Sequence, residues 1–377
     1  MYDVGLLLET NELVQRMPVR FLDGALLFQY DKETFDEYAI RSIIAFCNRV
    51  VRDYPIGIPI VFQFTEKIKF VNKLVFILFE CVCKFMVSKG YPITLRMLPT
   101  LQINTHGFES SPLNLLISSK TTRTSRFEDK FEKDLFGRHY RGILSEDAAK
   151  ENLSFIMGDV STFQLIGNIA EDDRDMVAEV IAELVGNAQE HGKSDCLYDF
   201  DITPPYRKKG SDKKYRGLNI VIMNLSSKLL GTDLRQKLLE TKQNELLGRY
   251  AQVLAAYTKH KDFWGELYKE EDFFNIATFQ NKISGRIENS CTGGTGLTKL
   301  IHSLEEKSDS YSCFVQSGKR QIKFEHEFMN YKDNWIGFNR SNNFLMCPPS
   351  DEILRESRIY LPGTAYNLTF VMETDDE

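Results

Sequence analysis

The chain has 377 residues, room for two domains at roughly 150 residues each. Hydrophobic residues at 42% and charged residues at 27% are ordinary for a soluble globular chain, which at this length buries a core without disulfide or metal staples. Lys and Arg number 47 against 53 Asp and Glu, a net charge of −6. That balance argues against broad nucleic-acid binding as the main activity, because such binding needs a basic surface.

The seven cysteines, Cys47, Cys81, Cys83, Cys196, Cys291, Cys313 and Cys347, are scattered and form no C-x-x-C pair. They read as reduced thiols in a reducing compartment. The first residues lack the basic start and small-residue cleavage site of a signal peptide. The apolar stretch Phe70 to Val87 carries Lys73, Glu80 and Lys84, charges that a membrane span would have to bury, so it is expected to be a packed core helix. A cytoplasmic protein with no membrane association is expected.

In chain order, Ile58 to Phe64 is β-branched and aromatic and reads as a strand. Phe70 to Gly90 reads as a helix stopped by glycine, and Tyr91 to Leu98 as another strand. Together they predict a βαβ unit. Residues 1–117 are therefore expected to form an α/β domain. The polar, doubly charged stretch 118–150 is expected to be a linker, and 151–377 a second domain.

Within that second part, Glu171 to Gly192 has apolar residues at Val177, Ile181, Leu184, Val185 and Ala188, the spacing of an amphipathic helix. Acidic residues cluster at its start, where the helix dipole favours them. Gly217 to Asn224 reads as a strand buried on both faces. Thr232 to Tyr268 looks helical. Tyr311 to Phe324 reads as a hairpin turning at Ser317-Gly318, and Thr364 to Glu373 as a last strand.

Two motifs carry chemistry. Glu183, Asn187 and His191 recur every four residues and so project from nearly one polar helix face. An amide oxygen is a hard neutral ligand for magnesium, and a carboxylate one turn away can take a proton from water. The second motif is Gly293-Gly294-Thr295-Gly296-Leu297, a glycine-rich turn ahead of an apolar helix. Glycines let backbone N–H groups approach an anion, and the helix N-terminus adds a favourable dipole. It is not a Walker A loop.

In this order, with a buried strand between them and a final Leu361-Pro362-Gly363-Thr364 strand, these motifs resemble the GHKL ATPase family of gyrase, Hsp90, histidine kinases and MutL. The resemblance covers the second half of the chain. It implies a Bergerat-type α/β sandwich, a mixed sheet with helices on one face, binding ATP and Mg²⁺. By position Asn187 would hold Mg²⁺, Glu183 would orient or deprotonate the attacking water, and His191 would lie near the phosphates. Gly293, Gly294, Thr295, Gly296 and Leu297 would wrap the phosphates, and Thr364 would sit near the adenine. The strand-helix-strand unit of the first half resembles a STAS domain, although Phe70-Val71-Asn72-Lys73 offers no phosphoacceptor serine.

One departure stands out. Where the family places an adenine-binding Asp followed by glycine, this chain has Asn224-Leu225-Ser226-Ser227. Asn224 retains an acceptor through its amide oxygen. Residues 231–286 occupy the place of the family's ATP lid, and read either as a helical lid that moves with nucleotide or as a packed insertion. The expected activity is a nucleotide-dependent ATPase switch for a protein partner met through the lid or the N-terminal half, with a homodimer left open. The alternatives are an anti-sigma-type serine or histidine protein kinase, or a degenerate, non-catalytic nucleotide-binding scaffold.

Overall fold

The computed structural model describes residues 3–11, 19–66, 68–97, 110–117, 121–148, 151–208, 212–242, 246–283, 300 and 313–374. It is a mixed α/β protein. The first half contains α1 (Gly5–Thr10), β1 (Arg20–Leu22), β2 (Ala25–Tyr30), β3 (Thr34–Phe35), α2 (Glu37–Asp53), β4 (Ile60–Phe64), β5 (Lys69–Phe70), α3 (Lys73–Ser88) and β6 (Ile93–Arg96). Both long helices start on side-chain caps. The Asp36 carboxylate accepts from the Tyr38 and Ala39 amides, and Asn72 accepts from Val75 N, each satisfying donors that a helix start leaves open. The sheet order is β1-β2-β4-β6. β1 runs antiparallel to β2, while β2, β4 and β6 are parallel, so the expected βαβ unit is β4-α3-β6.

Next come α4 (Thr121–Glu132), β7 (Asp134–Phe136), β8 (His139–Leu144), α5 (Glu151–Leu165), α6 (Glu171–Asn187), β9 (Cys196–Ile202), β10 (Tyr206–Arg207), β11 (Lys214–Asn224), α7 (Thr232–Glu240), α8 (Arg249–His260) and α9 (Glu270–Ala277). The chain closes with β12 (Phe314–Lys323), β13 (Tyr331–Lys332), β14 (Trp335–Ile336) and β15 (Leu354–Thr374). A seven-stranded sheet has the order β12-β15-β11-β9-β8-β7, with β10 paired to β11. Its pairings are antiparallel throughout. Mixed pairing, expected of this sheet, belongs instead to the smaller N-terminal one.

Two expectations about local layout are corrected as well. The stretch 118–150 supplies α4, β7 and β8 and is built into the fold rather than running between domains as a linker. Phe127 and Phe131 of α4 are buried, and Lys84 of α3 pairs with Glu128 and Glu132 at 3.3 Å, so its charges serve packing. The hairpin at Ser317-Gly318 is absent: β12 runs straight through, and its register against β15 shifts at Ser317, Gly318 and Arg320. Gly318, at φ +58°, marks a bulge, where a positive φ suits glycine. The interval 231–286, read either as a moving lid or as a packed insertion, is helical where described: α7, α8 and α9 pack around Tyr257, Phe273 and Phe274. Asp272 of α9 meets Arg320 of β12 at 2.7 Å in a buried ion pair.

Helices cover the large sheet on both faces, not one. Tyr198, Phe200, Ile220, Ile222, Tyr366 and Leu368 face the core built with α5 and α6. The alternate residues Leu197, Val221, Met223, Leu361 and Ala365 join the core of the N-terminal half. Period-two alternation of a strand sends neighbours to opposite faces, which is why β9 and most of β11 are buried along their length.

Charged groups are sealed into that second interface. Arg141 of β8 meets Glu80 of α3 at 2.5 Å and Asp199 of β9 at 2.5 Å. Lys73, in the first turn of α3, meets Asp199 at 2.7 Å and Asp201 at 2.5 Å. His139 stands between Asp134 at 2.8 Å and Asp199 at 2.9 Å. All seven are buried. Polar clamps fasten the same half to β12 and β15. Glu37 accepts from Gln321 Nε2, Ser357 Oγ and Arg358 N, Asn11 exchanges two hydrogen bonds with the Tyr360 backbone, and Asn367 accepts from Leu74 N. Among the described residues no helix is long and apolar enough to cross a membrane.

Candidate functional site

The site is built from the end of α6, the end of β11 and the stretches of β15 and β12 that lie beside it. α6 begins Glu171-Asp172-Asp173 and lacks a side-chain cap; negative charge there complements the exposed amide dipoles. Val177, Ile181, Leu184 and Val185 are buried against the sheet. That orientation leaves Glu183 and Asn187, one turn apart, half-buried at the margin of the packed face.

Beyond Asn187 the backbone loosens into a π-helical turn, Ala188–Gly192, which ends at Lys193 in the left-handed region. The wider turn displaces His191 from the regular four-residue line. The His191 Nδ1 lies 3.2 Å from Asp233 Oδ2 in the first turn of α7, and Lys228 Nζ lies 2.8 Å from Asp233 Oδ1. One carboxylate thus ties two basic side chains to the start of the lid interval.

The turn delivers Gly192 onto the end of β11. Its carbonyl accepts from Ser226 Oγ at 2.6 Å, and a Cβ at this position would strike the Asn224 amide. Glycine here permits a backbone approach that no other residue would allow. Asn224 is buried and donates through Nδ2 to Ser194 Oγ at 3.1 Å, which turns its Oδ1 into acceptor capacity for a ligand N–H.

Asn224 is the direct cross-strand partner of Thr364, and Thr364 of Ser317. The three form a polar row across β11, β15 and β12, on the face that carries α6. Ser317 Oγ is 2.7 Å from the Gly363 carbonyl and 3.4 Å from Thr364 Oγ1, and it accepts from Leu230 N at 2.9 Å. Past Ser317 the row runs into a cavity of about 420 Å³ between α7, α9 and the β12–β15 pair, floored by Leu229, Phe274 and Tyr360 and rimmed by both charges, Arg235, Lys269 and Lys319 with Glu270, Glu271 and Glu356.

The structure therefore brings Asn224 and Thr364 together and sets the π-turn after Glu183 and Asn187 against them. Gly293, Gly294, Thr295, Gly296 and Leu297 lie outside the described residues. Sequence reasoning missed Ser317, read as a turn, along with Asp233 and Ser194. The run Phe314 to Gly318 is buried although β12 lies at the edge of the sheet, whereas a hairpin turn would sit in water. No family model matches this sequence, and neither a curated protein nor a solved structure matches it.

Proposed function

We propose that this chain is a Mg-ATP-binding ATPase of the GHKL type, with a Bergerat-type C-terminal half and a STAS-like N-terminal half, acting as a nucleotide-dependent switch for a protein partner. The observation that carries the reading is the Asn224–Thr364 pair beside the end of the helix bearing Glu183 and Asn187. A base amino group needs an acceptor, which Asn224 Oδ1 supplies, and Thr364 adds a hydroxyl on the neighbouring strand. The cavity beside Ser317 gives a ligand room.

The residues fit magnesium. Mg²⁺ prefers oxygen ligands, keeps several waters and shares phosphate oxygens. Asn187 would supply one amide oxygen, and bound Mg²⁺ would supply charge neutralisation at the phosphates. Glu183, one turn earlier, is placed to orient a water or hold its proton. Lys228 would give the anion a cationic neighbour and His191 a ring nitrogen, with Asp233 fixing both.

The test is calorimetry of the full chain with a non-hydrolysable ATP analogue and Mg²⁺, followed by phosphate release with ATP. Binding at micromolar concentration that is lost in Asn187→Ala supports the reading. No binding overturns it, and label passed to a protein serine or histidine instead of water assigns the kinase activity.

A further inference from the structure

A buried histidine with both ring nitrogens on carboxylates is a chemical statement about protonation. Neutral imidazole has one N–H donor and one lone pair; only the imidazolium donates from both nitrogens. His139 faces Asp134 Oδ2 at 2.8 Å through Nδ1 and Asp199 Oδ2 at 2.9 Å through Nε2. With a neutral ring, one of these contacts would set a lone pair against an anion in a dry interface.

The surrounding charges point the same way. From α3 come Lys73 and Glu80, from α4 Lys130, from β7 Asp134, from β8 Arg141, and from β9 Asp199 and Asp201. With all four carboxylates ionised, Lys73, Lys130 and Arg141 leave one positive charge for His139 to supply. Uncompensated buried charge is strongly destabilising. Burial pulls the imidazole down, but the Asp199 charge and the hydrogen bonds the ring donates to both carboxylates outweigh it and hold it above its ordinary 6.5.

We propose that a proton latches the N-terminal half onto the large sheet: His139, as imidazolium, completes the charge balance beneath α3, and its loss at alkaline pH loosens α3 from β8 and β9. The path is direct. His139 holds Asp199, which in turn holds Lys73 of α3 and the Arg141 that pairs with Glu80 of α3. This device is independent of any nucleotide.

The sign follows from linkage. A group whose pKa is raised by folding stabilises the folded form fully below its unfolded value, and that contribution is lost as pH rises through the folded one. Docking of α3 is thus firmest at or below about pH 6.5 and weakens above it, by up to tenfold in opening for each unit by which folding raises the pKa.

The experiment is a nitrogen-15 histidine titration of the full chain, paired with hydrogen exchange of residues 73–88 from pH 6 to pH 10 after correction for intrinsic rates. His139→Gln assigns the resonance. Asp134→Asn is the decisive variant, because Asp134 touches the imidazole and Lys130 but neither residue of α3. The latch requires an imidazolium signal at pH 7. It also requires that Asp134→Asn move the His139 titration and the loss of α3 protection together to lower pH, by about one unit. A neutral tautomer at pH 7, or α3 protection whose pH profile ignores Asp134→Asn, overturns it. If His139→Gln fails to fold, the resonance is assigned through its shift in Asp134→Asn and the test stands.

Discussion

Gly363 lets the carbonyl of Asn224 pass where a side chain would otherwise stand. Gly363 has φ +98°, and a Cβ built on it would overlap the Asn224 carbonyl oxygen. The neighbouring residues Thr364 and Asn224 are the paired floor of the candidate site, so backbone geometry at residue 363 sets the spacing of the two groups. Gly363→Ala combines a disfavoured conformation with overpacking against backbone. A loss of roughly 2–4 kcal/mol is expected, read as a lower urea midpoint with an unchanged slope.

Asn224 offers a finer probe. Exchange to Asp keeps the shape and replaces a neutral acceptor by a charged one, and Ser194 Oγ can donate to it. Analogue binding should tighten by about 1 kcal/mol, near fivefold, whereas Asn224→Ala should weaken it. Calorimetry on both variants checks this, and equal affinities would remove Asn224 from the base contact.

Glu183→Ala should separate chemistry from binding. If the carboxylate handles the attacking water, phosphate release falls at least about 100-fold while analogue affinity stays within twofold of the parent. Release that persists in the variant would take the catalytic role from Glu183.

Arg141 is fully buried between Glu80 and Asp199. Arg141→Met strips Glu80 of its cation, while Asp199 keeps Lys73 and His139, and a cost of roughly 3–5 kcal/mol is expected. Arg141→Met combined with Glu80→Gln should recover much of it. Denaturant unfolding of the single and double variants measures the difference.

An acid limb comes from the same cluster. Burial pushes the Asp199 carboxyl up, but the charges of Arg141, Lys73 and His139 hold it well below its ordinary 3.8. A carboxylate depressed by folding gives stability that is complete above its unfolded value and lost as pH falls through the folded one. Stability should therefore drop below about pH 3.8, and Asp199→Asn should flatten that limb in urea midpoints taken across pH.

How far the sequence disclosed all this depended on whether the signal was local. α3 and the β4-α3-β6 unit follow from a long, mostly apolar run with glycine at its end, and α6 from its regular apolar stripe. The charges that spoke against a membrane span, Lys73, Glu80 and Lys84, each found a partner: Asp199 with Asp201, Arg141, and α4. Those partners were illegible, because Tyr198-Asp199-Phe200-Asp201 and His139-Tyr140-Arg141 alternate just as a half-solvated strand does. Only the sheet register, which sets Arg141 opposite Asp199 and His139 opposite Asp201, together with the helix laid over them, turns the polar face inward. The Asn224–Thr364–Ser317 row joins residues up to 140 positions apart, and no window along the chain contains that information. Ser317-Gly318 misled because the bulge and the tight turn use the same residue type.

The double-sided cover of the large sheet has a practical corollary for dissecting this molecule. A fragment starting at residue 151 would lack β7 and β8 and would bare Leu197, Val221, Met223, Ile359 and Ala365 to solvent. It would also strand two aspartates without their cations. Such a piece would clump, and silence in an assay on it would say nothing about the intact chain.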